Sequence, residues 1–284
     1  MKIVITGANG QLGSELQALW SGRNDLDCFF LDRKQLPLDQ LLIIHDILDM
    51  YQPDLIVHAA AYTAVDLAEK EVEQANIVNH LATEEIAQYC RLNECKLIAI
   101  STDYVFDGNA AVPIEEDANV SPVNTYGMTK LLGEQAIQKW WPQSIILRTS
   151  WVYSKFGNNF VKTMLRLMKE RDEIGVIDDQ IGSPTSARDL ATVIDHIVRA
   201  DDWVGGVYHY SNEGEASWYE FALAIRDLTG LTCAVKAIPT AAYPTAAKRP
   251  KYSLLDKSKI KNTYNVQIPH WKDSLKQMLL SMDT

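Results

Sequence analysis

Short apolar runs alternate with longer amphipathic stretches through the first half of the chain. KIVIT at 2–6 leads into a helix predicted from about Gln11. CFFLD at 28–32 precedes a helix near Leu41–Tyr51, LIVHAA at 55–60 a helix near Glu73–Asn93, and KLIAIST closes the series at 96–102. Runs rich in Ile, Val and Leu, with no polar face, fit strands covered on both sides, and the βαβα rhythm predicts a parallel sheet with crossover helices. A polar, proline-containing loop at about Asp107–Asn124 is followed by a helix from about Tyr126 to Trp140 and a further strand, SIILRTS at 144–150.

Beyond residue 150 the rhythm loosens. FVKTMLRLMKERDE at 160–173 has helical spacing, GVIDDQIGSPT at 175–185 reads as strand and loop, and SARDLATVIDHIVRA at 186–200 carries an apolar stripe on one face. WYEFALAIRDLTG at 218–230 is one more helix. The rest, with Pro239, Pro244, Pro250 and Pro269, reads as loops and a last helix on a small second lobe. The expected architecture is an α/β, Rossmann-type, doubly wound parallel sheet over 1–150, to which later segments return. A smaller C-terminal substrate-binding lobe occupies most of 151–284. No internal repeat or low-complexity segment interrupts it.

Composition narrows the chemistry. The chain of 284 residues has a net charge of -10 and no Lys/Arg run, which argues against a general nucleic-acid surface. Cys28, Cys90, Cys95 and Cys233 are widely spaced with no CxxC pair, so they read as buried thiols in a reducing compartment rather than a zinc or disulfide framework. The N-terminal apolar run is too short for a signal peptide, and no apolar run of about 18 residues offers a membrane span. A cytoplasmic protein is expected.

Gly7-Ala8-Asn9-Gly10-Gln11-Leu12-Gly13 follows the first strand and opens a helix, with GxxGxxG spacing. Glycines there permit a tight turn and let backbone amides approach a pyrophosphate at the positive end of the helix. Asp32 lies about 20 residues further on, at the end of the second strand, where a carboxylate bonds the adenosine ribose and favours NADH. Arg33 beside it can instead pair with the 2′-phosphate of NADPH, so the choice between the two stays open. Asp39 is a second candidate near the adenine, or an N-cap of the next helix. Small residues at Ala60 and Ala61, followed by Tyr62, leave room for a cofactor at the edge of the third strand.

Tyr126 and Lys130 stand four residues apart on a predicted helix, and so on one face. A neighbouring ammonium is expected to lower the phenol pKa and fit it to give a proton to a carbonyl oxygen as hydride reaches the carbon. Ser101, Thr102 and Asp103 end a strand at the same sheet edge, where a hydroxyl can hold that oxygen. Phosphate loop, strand-end hydroxyl and YxxxK occur in the required order, which is far more specific than any one of them.

With ITGANGQLG, HAAAYTAVDLAE, ISTDYVFDG, YGMTK, RTSWVY, GNNFVKTMLRL, DQIGSPT and TAAYPTAAKRP, the chain resembles the extended short-chain dehydrogenase/reductase family nearly end to end. The branch it is most similar to implies reduction of the 4-keto group of dTDP-4-dehydro-β-L-rhamnose by NADPH or NADH, for cell-surface polysaccharide. The resemblance gives Thr102 the catalytic hydroxyl, Tyr126 the acid–base role, and Lys130 the ribose-holding and pKa-lowering role. Asn79 matches a helix asparagine near the active site. Asp103 and Trp151 are the best positions for the sugar, the one for its hydroxyls and the other for stacking. Asn159, Lys248 and Arg249 are weaker candidates for the nucleotide end.

Some members of the family are described as magnesium-linked dimers. Glu15 matches a ligand, but Arg188 occupies the position where a second glutamate is needed. No tightly bound metal is therefore expected, Glu15 and Asp189 read as solvated helix charges, and a homodimer stays open. Two rival readings remain at this stage. One is a nucleotide-sugar epimerase or dehydratase, although no glutamate follows Thr102 as a dehydratase would need. The other is a non-catalytic dinucleotide-binding regulatory subunit, against which the intact Tyr126 and Lys130 count.

Overall fold

The structure, a computed structural model, describes residues 1–282. Its centre is a six-stranded sheet built from β1 (Lys2–Thr6), β2 (Asp27–Leu31), β3 (Leu55–His58), β4 (Lys96–Thr102), β5 (Ile145–Thr149) and β7 (Gly206–His209), the intervening β6 (Glu173–Ile177) lying elsewhere. The strands lie in the order β7-β5-β4-β3-β1-β2, every pair parallel. The direction of winding reverses between β1 and β3, which opens a crevice at their C-terminal ends, where open α/β sheets place their ligands.

Alternation along the strands splits the core into two layers. Ile3 and Ile5 face one side, under helices α1 (Gln11–Trp20) and α6 (Ala187–Arg199), through Leu12, Leu16, Leu190 and Ile194. Val4, Ile56 and Leu97 face the other, under α2 (Ile44–Tyr51), α3 (Ala82–Leu92) and α4 (Thr125–Trp140), through Leu48, Ile86 and Ile137. Continuous apolar runs were the expectation for strands buried on both faces, and β3 is buried at all four positions. Helix α6 and strand β7, far along in sequence, both pack on this sheet.

A separate core forms from helices α5 (Phe160–Glu170), α7 (Trp218–Thr229) and α8 (Trp271–Leu280) around Met164, Phe221 and Leu275. Its small sheet pairs β6 (Glu173–Ile177) with β8 (Ala234–Ile238) in parallel. The sequence pattern predicts α5 to run on to residue 173, but it ends at Glu170, and Glu173 already pairs with Ala234. Strand β8 lies in a region the sequence assigns to loops. Only Val235 among its five residues is buried, so there is little alternation to read. Helix α7 is delimited as its residues dictate: Ser217 and Glu220 form a capping box, and Gly230 closes it with φ 68°.

The helix predicted near Glu73–Asn93 is continuous in path but not in type. It runs as Val72–Asn76, then a π-turn at Ile77–Leu81, then α3. Such a turn carries one extra residue, and here it brings Asn79 against the loop after β3.

Candidate active site

One cleft of about 1070 Å³ runs along the C-terminal edge of the sheet. At one end is the glycine turn. Gly7 has φ 75°, and a Cβ there would lie 2.8 Å from the Ala60 amide nitrogen, so only glycine admits this turn beneath the β3 loop. A Cβ on Gly13 would collide with the Gly7 carbonyl. The first residue before α1, Gly10, offers no side-chain cap, which leaves the first-turn amides of Gln11, Leu12 and Gly13 on the cleft wall. A pyrophosphate fits this arrangement of donors and bare backbone.

Asp32 lies just past β2 on the same wall. Its carboxylate accepts the backbone amides of Lys34 at 2.8 Å and Gln35 at 3.1 Å, which hold it below the usual carboxylate range. Asp39 does not cap a helix. It pairs with Arg33 at 3.1 Å, and Arg33 itself is 81% exposed at the rim, free to reorient toward a ligand. Ala60, Ala61 and Tyr62 line the cleft as expected, with the Tyr62 hydroxyl donating to Glu71 at 2.7 Å.

At the centre, Thr102, Asp103, Tyr126 and Lys130 converge on one wall. Asn124 caps α4 by accepting the Gly127 amide at 2.8 Å, and this fixes the start of the helix one residue earlier than the sequence suggests. Lys130 Nζ donates to the Ile100 carbonyl at 2.7 Å. The Thr102 hydroxyl donates to Asp103 Oδ1 at 3.1 Å and accepts the Tyr104 amide at 3.2 Å. Asp103 is buried, and burial pushes this carboxyl up to about 6, offset in part by the Ser253 and Thr102 hydroxyls.

The electrostatics correct one expectation. Tyr126 is not lowered: burial drives its phenol up to about 12, only partly offset by the Thr102 hydroxyl, while Asp103 pushes it further up. Lys130 is itself desolvated and falls to about 8, with the Glu134 carboxylate pulling it back up. One of the three ammonium donors goes to the Ile100 carbonyl, and burial leaves Tyr126 a neutral phenol, the form that gives a proton.

Behind this wall a chain of hydrogen bonds orders the groups. The Ala60 amide donates to Thr6, whose hydroxyl lies 2.9 Å from His58 Nδ1. Across the ring, Nε2 lies 3.1 Å from the Thr83 hydroxyl, which donates to the Asn79 carbonyl. Thr83 must therefore accept from His58, so the ring is neutral with its proton on Nε2, consistent with a pKa lowered to about 3 by burial and by Lys130. The Asn79 side chain accepts the Tyr62 amide at 2.8 Å and donates to Thr129 at 3.1 Å, tying the β3 loop to α4.

Trp151 lines the cleft with φ 48°, and its indole stacks on Trp218 at 3.6 Å. Trp218 is a wall residue that the sequence offers only as part of a helix stripe. Asn159, Lys248 and Arg249 are not brought to the cleft wall. Asn159 caps α5 and donates to Gln11 at 3.0 Å. Lys248 supplies its carbonyl to Asn124 at 2.8 Å, and Arg249 pairs with Asp66 at 2.6 Å.

Glu15 and Asp189 are not solvated charges. Glu15 is buried and accepts from Ser154 at 2.5 Å; Asp189 accepts from Asn212 at 2.7 Å and Ser274 at 2.5 Å. Among the described residues no group of three or more His, Cys, Asp or Glu is placed to hold a metal, and no helix is long and apolar enough to cross a membrane.

A doubly wound parallel sheet with a glycine cradle at its switch point and Thr102, Tyr126 and Lys130 at the adjoining strand edge defines a dinucleotide-dependent reductase of the extended short-chain dehydrogenase/reductase type. The family model described as RmlD substrate binding domain matches residues 1–284, and the chain belongs to that family. A dTDP-4-dehydrorhamnose reductase of Aggregatibacter actinomycetemcomitans is 40% identical, over 98% of each chain. The crystal structure of a dTDP-4-dehydrorhamnose reductase of Clostridium acetobutylicum superposes with a TM-score of 0.96 at 39% identity, covering 100% of both chains. That of Bacillus anthracis, in complex with NADP, gives 0.94 at 39% identity over 99% of both.

Proposed function

We propose that this chain reduces the 4-keto group of dTDP-4-dehydro-β-L-rhamnose to give dTDP-L-rhamnose, using NADPH or NADH. The observation that carries the reading is the convergence of Thr102, Tyr126 and Lys130 on the wall of the cleft that also holds the glycine cradle. Full-length similarity to dTDP-4-dehydrorhamnose reductases supports the choice of sugar.

The fit of a dinucleotide rests on the cradle that a Cβ would fill and on the uncapped amides of α1. When bound, it supplies the hydride. Gly7, Gly10 and Gly13 give close backbone approach to the pyrophosphate, Asp32 and Arg33 meet the adenosine ribose, and Lys130 holds the nicotinamide ribose. Tyr126 gives its phenolic proton to the 4-keto oxygen, and Thr102 holds that oxygen beside it, so negative charge does not build up unassisted. The tyrosinate then recovers a proton from solvent. Asp103, which lines the cleft beside Thr102, takes sugar hydroxyls, and Trp151 braces the sugar face. Residues 1–150, with α6 and β7 returning to them, hold the dinucleotide, and the rest of 151–284 closes over the nucleotide sugar.

Steady-state assay of the purified chain tests this. Nicotinamide oxidation should depend on dTDP-4-dehydrorhamnose and yield dTDP-L-rhamnose. Oxidation no faster with the sugar than without it removes the substrate assignment.

A further inference from the structure

Under the catalytic wall lies a buried ionic group with no part in the reading above. Glu134, on α4 one turn beyond Lys130, is 3% exposed. Arg148, the next-to-last residue of β5, is 4% exposed. Two guanidinium nitrogens reach the carboxylate: Nη2 donates to Oε2 at 2.7 Å, and Nε donates to Oε1 at 3.0 Å. Ser101, at the end of β4 beside Thr102, also donates to Oε1. The Arg148 Nη1 edge turns the other way, toward the Glu116 carbonyl at 3.3 Å and His209 at 3.5 Å.

Such a pair is costly to bury, and an apolar pair of similar volume would often be at least as stable. Its position suggests what it does instead. It joins the helix that carries Tyr126 and Lys130 to the two strands that carry Thr102 and Thr149. Glu134, Lys130 and His58 also line the same small internal cavity, behind the cleft wall.

We propose that Glu134, clamped by Ser101 and Arg148, is a positioning residue that keeps Lys130 protonated and seated on the Ile100 carbonyl. The groups facing Lys130 are few. On its own helix are Tyr126, a neutral phenol at physiological pH, and Glu134; from β3 comes His58, which is neutral; from β4 come only the Ile100 carbonyl and Ser101. Asp103, just past the end of β4, shares the cleft wall and titrates near 6, but Glu134 is the carboxylate whose charge raises Lys130. Arg148, whose charge would oppose it, is itself bound to the same carboxylate through Nε and Nη2.

The test reads Lys130 directly and so does not depend on the proposed substrate. In protein labelled with ¹³C at lysine Cε, the Lys130 resonance, assigned through Lys130→Arg, is followed against pH. Glu134→Gln should lower its titration midpoint by about one unit or more, a tenfold loss in proton affinity, and Glu134→Asp should restore most of it. Should the lone Arg148 prevent Glu134→Gln from folding, the Glu134→Gln/Arg148→Met double variant leaves no charge unpaired and should show the same lowering. An unmoved midpoint in whichever of these folds overturns the proposal. A uniform loss of turnover with that midpoint unchanged would mark Glu134 as structural only. If the midpoint moves and the sugar is not reduced, the proposal stands and the substrate assignment falls.

Discussion

At the scale of single residues, the site depends on which groups stay neutral. Tyr126 is a protonated phenol at any physiological pH, so Tyr126→Phe removes the proton donor and little else. Turnover should fall about 10²–10⁴-fold with cofactor affinity nearly unchanged, as read by steady-state kinetics and fluorescence titration of NADPH. Asp103 carries a stability signature. Its pKa rises from the ordinary 3.8 to about 6 in the fold, so its contribution is fully present below pH 3.8 and is lost as pH rises through 6. At neutral pH that loss approaches about 3 kcal/mol. The wild-type melting midpoint should therefore fall by several degrees between pH 5 and 7, and Asp103→Asn should remove most of that fall. At the rim, Arg33 is tied only to Asp39. If it meets a 2′-phosphate, Arg33→Ala should raise the KM for NADPH several-fold and leave that for NADH alone; equal effects on both would deny it that role.

At the scale of elements, α4 is set by close approach as much as by capping. A Cβ on Gly127 would strike the Tyr104 carbonyl, and one on Gly133 the Asn79 carbonyl, so the helix rests directly on the π-turn. Gly133→Ala should destabilise the fold by about 1–3 kcal/mol in denaturant unfolding and lower turnover by displacing Tyr126 and Lys130 together. Much of the site was legible because it sits at element ends: strands with buried faces and glycines at a strand-to-helix turn announce themselves in one dimension. The rest depends on pairing across distance. Arg148 in the apolar run IILRT is the one available signal, since a charge in a doubly covered strand requires a buried partner. Nothing local names Glu134 as that partner. Strand β8 is not legible locally, because its mostly exposed residues pair with β6 about 60 positions earlier, which alternation cannot show. YxxxK spacing implies an ammonium near Tyr126 but says nothing of the burial that raises the phenol instead.

At the scale of the whole molecule, the C-terminal segment reaches back to the sheet edge. Arg249 pairs with Asp66 through both carboxylate oxygens, Ala247 donates its amide to the same Asp66, and Asn124 at the head of α4 donates to the Lys248 carbonyl. Arg249 thus acts as a strap between the lobe and the β3 loop rather than as a wall residue. Arg249→Met should raise the KM for the nucleotide sugar several-fold with cofactor KM unchanged, and Asp66→Asn should match it; unequal effects on the sugar KM would assign Arg249 a direct contact. A final consequence belongs to the π-turn at Ile77–Leu81. Because the turn absorbs one extra residue within an otherwise continuous helix, excising a residue there would restore ordinary helix, keep the flanking segments in register and remove the bulge that displaces Asn79. Asn79 could then no longer hold both the Tyr62 loop and Thr129. The spacing of this segment is thus itself a catalytic specification, one that a deletion would erase without changing the chemistry of any remaining side chain.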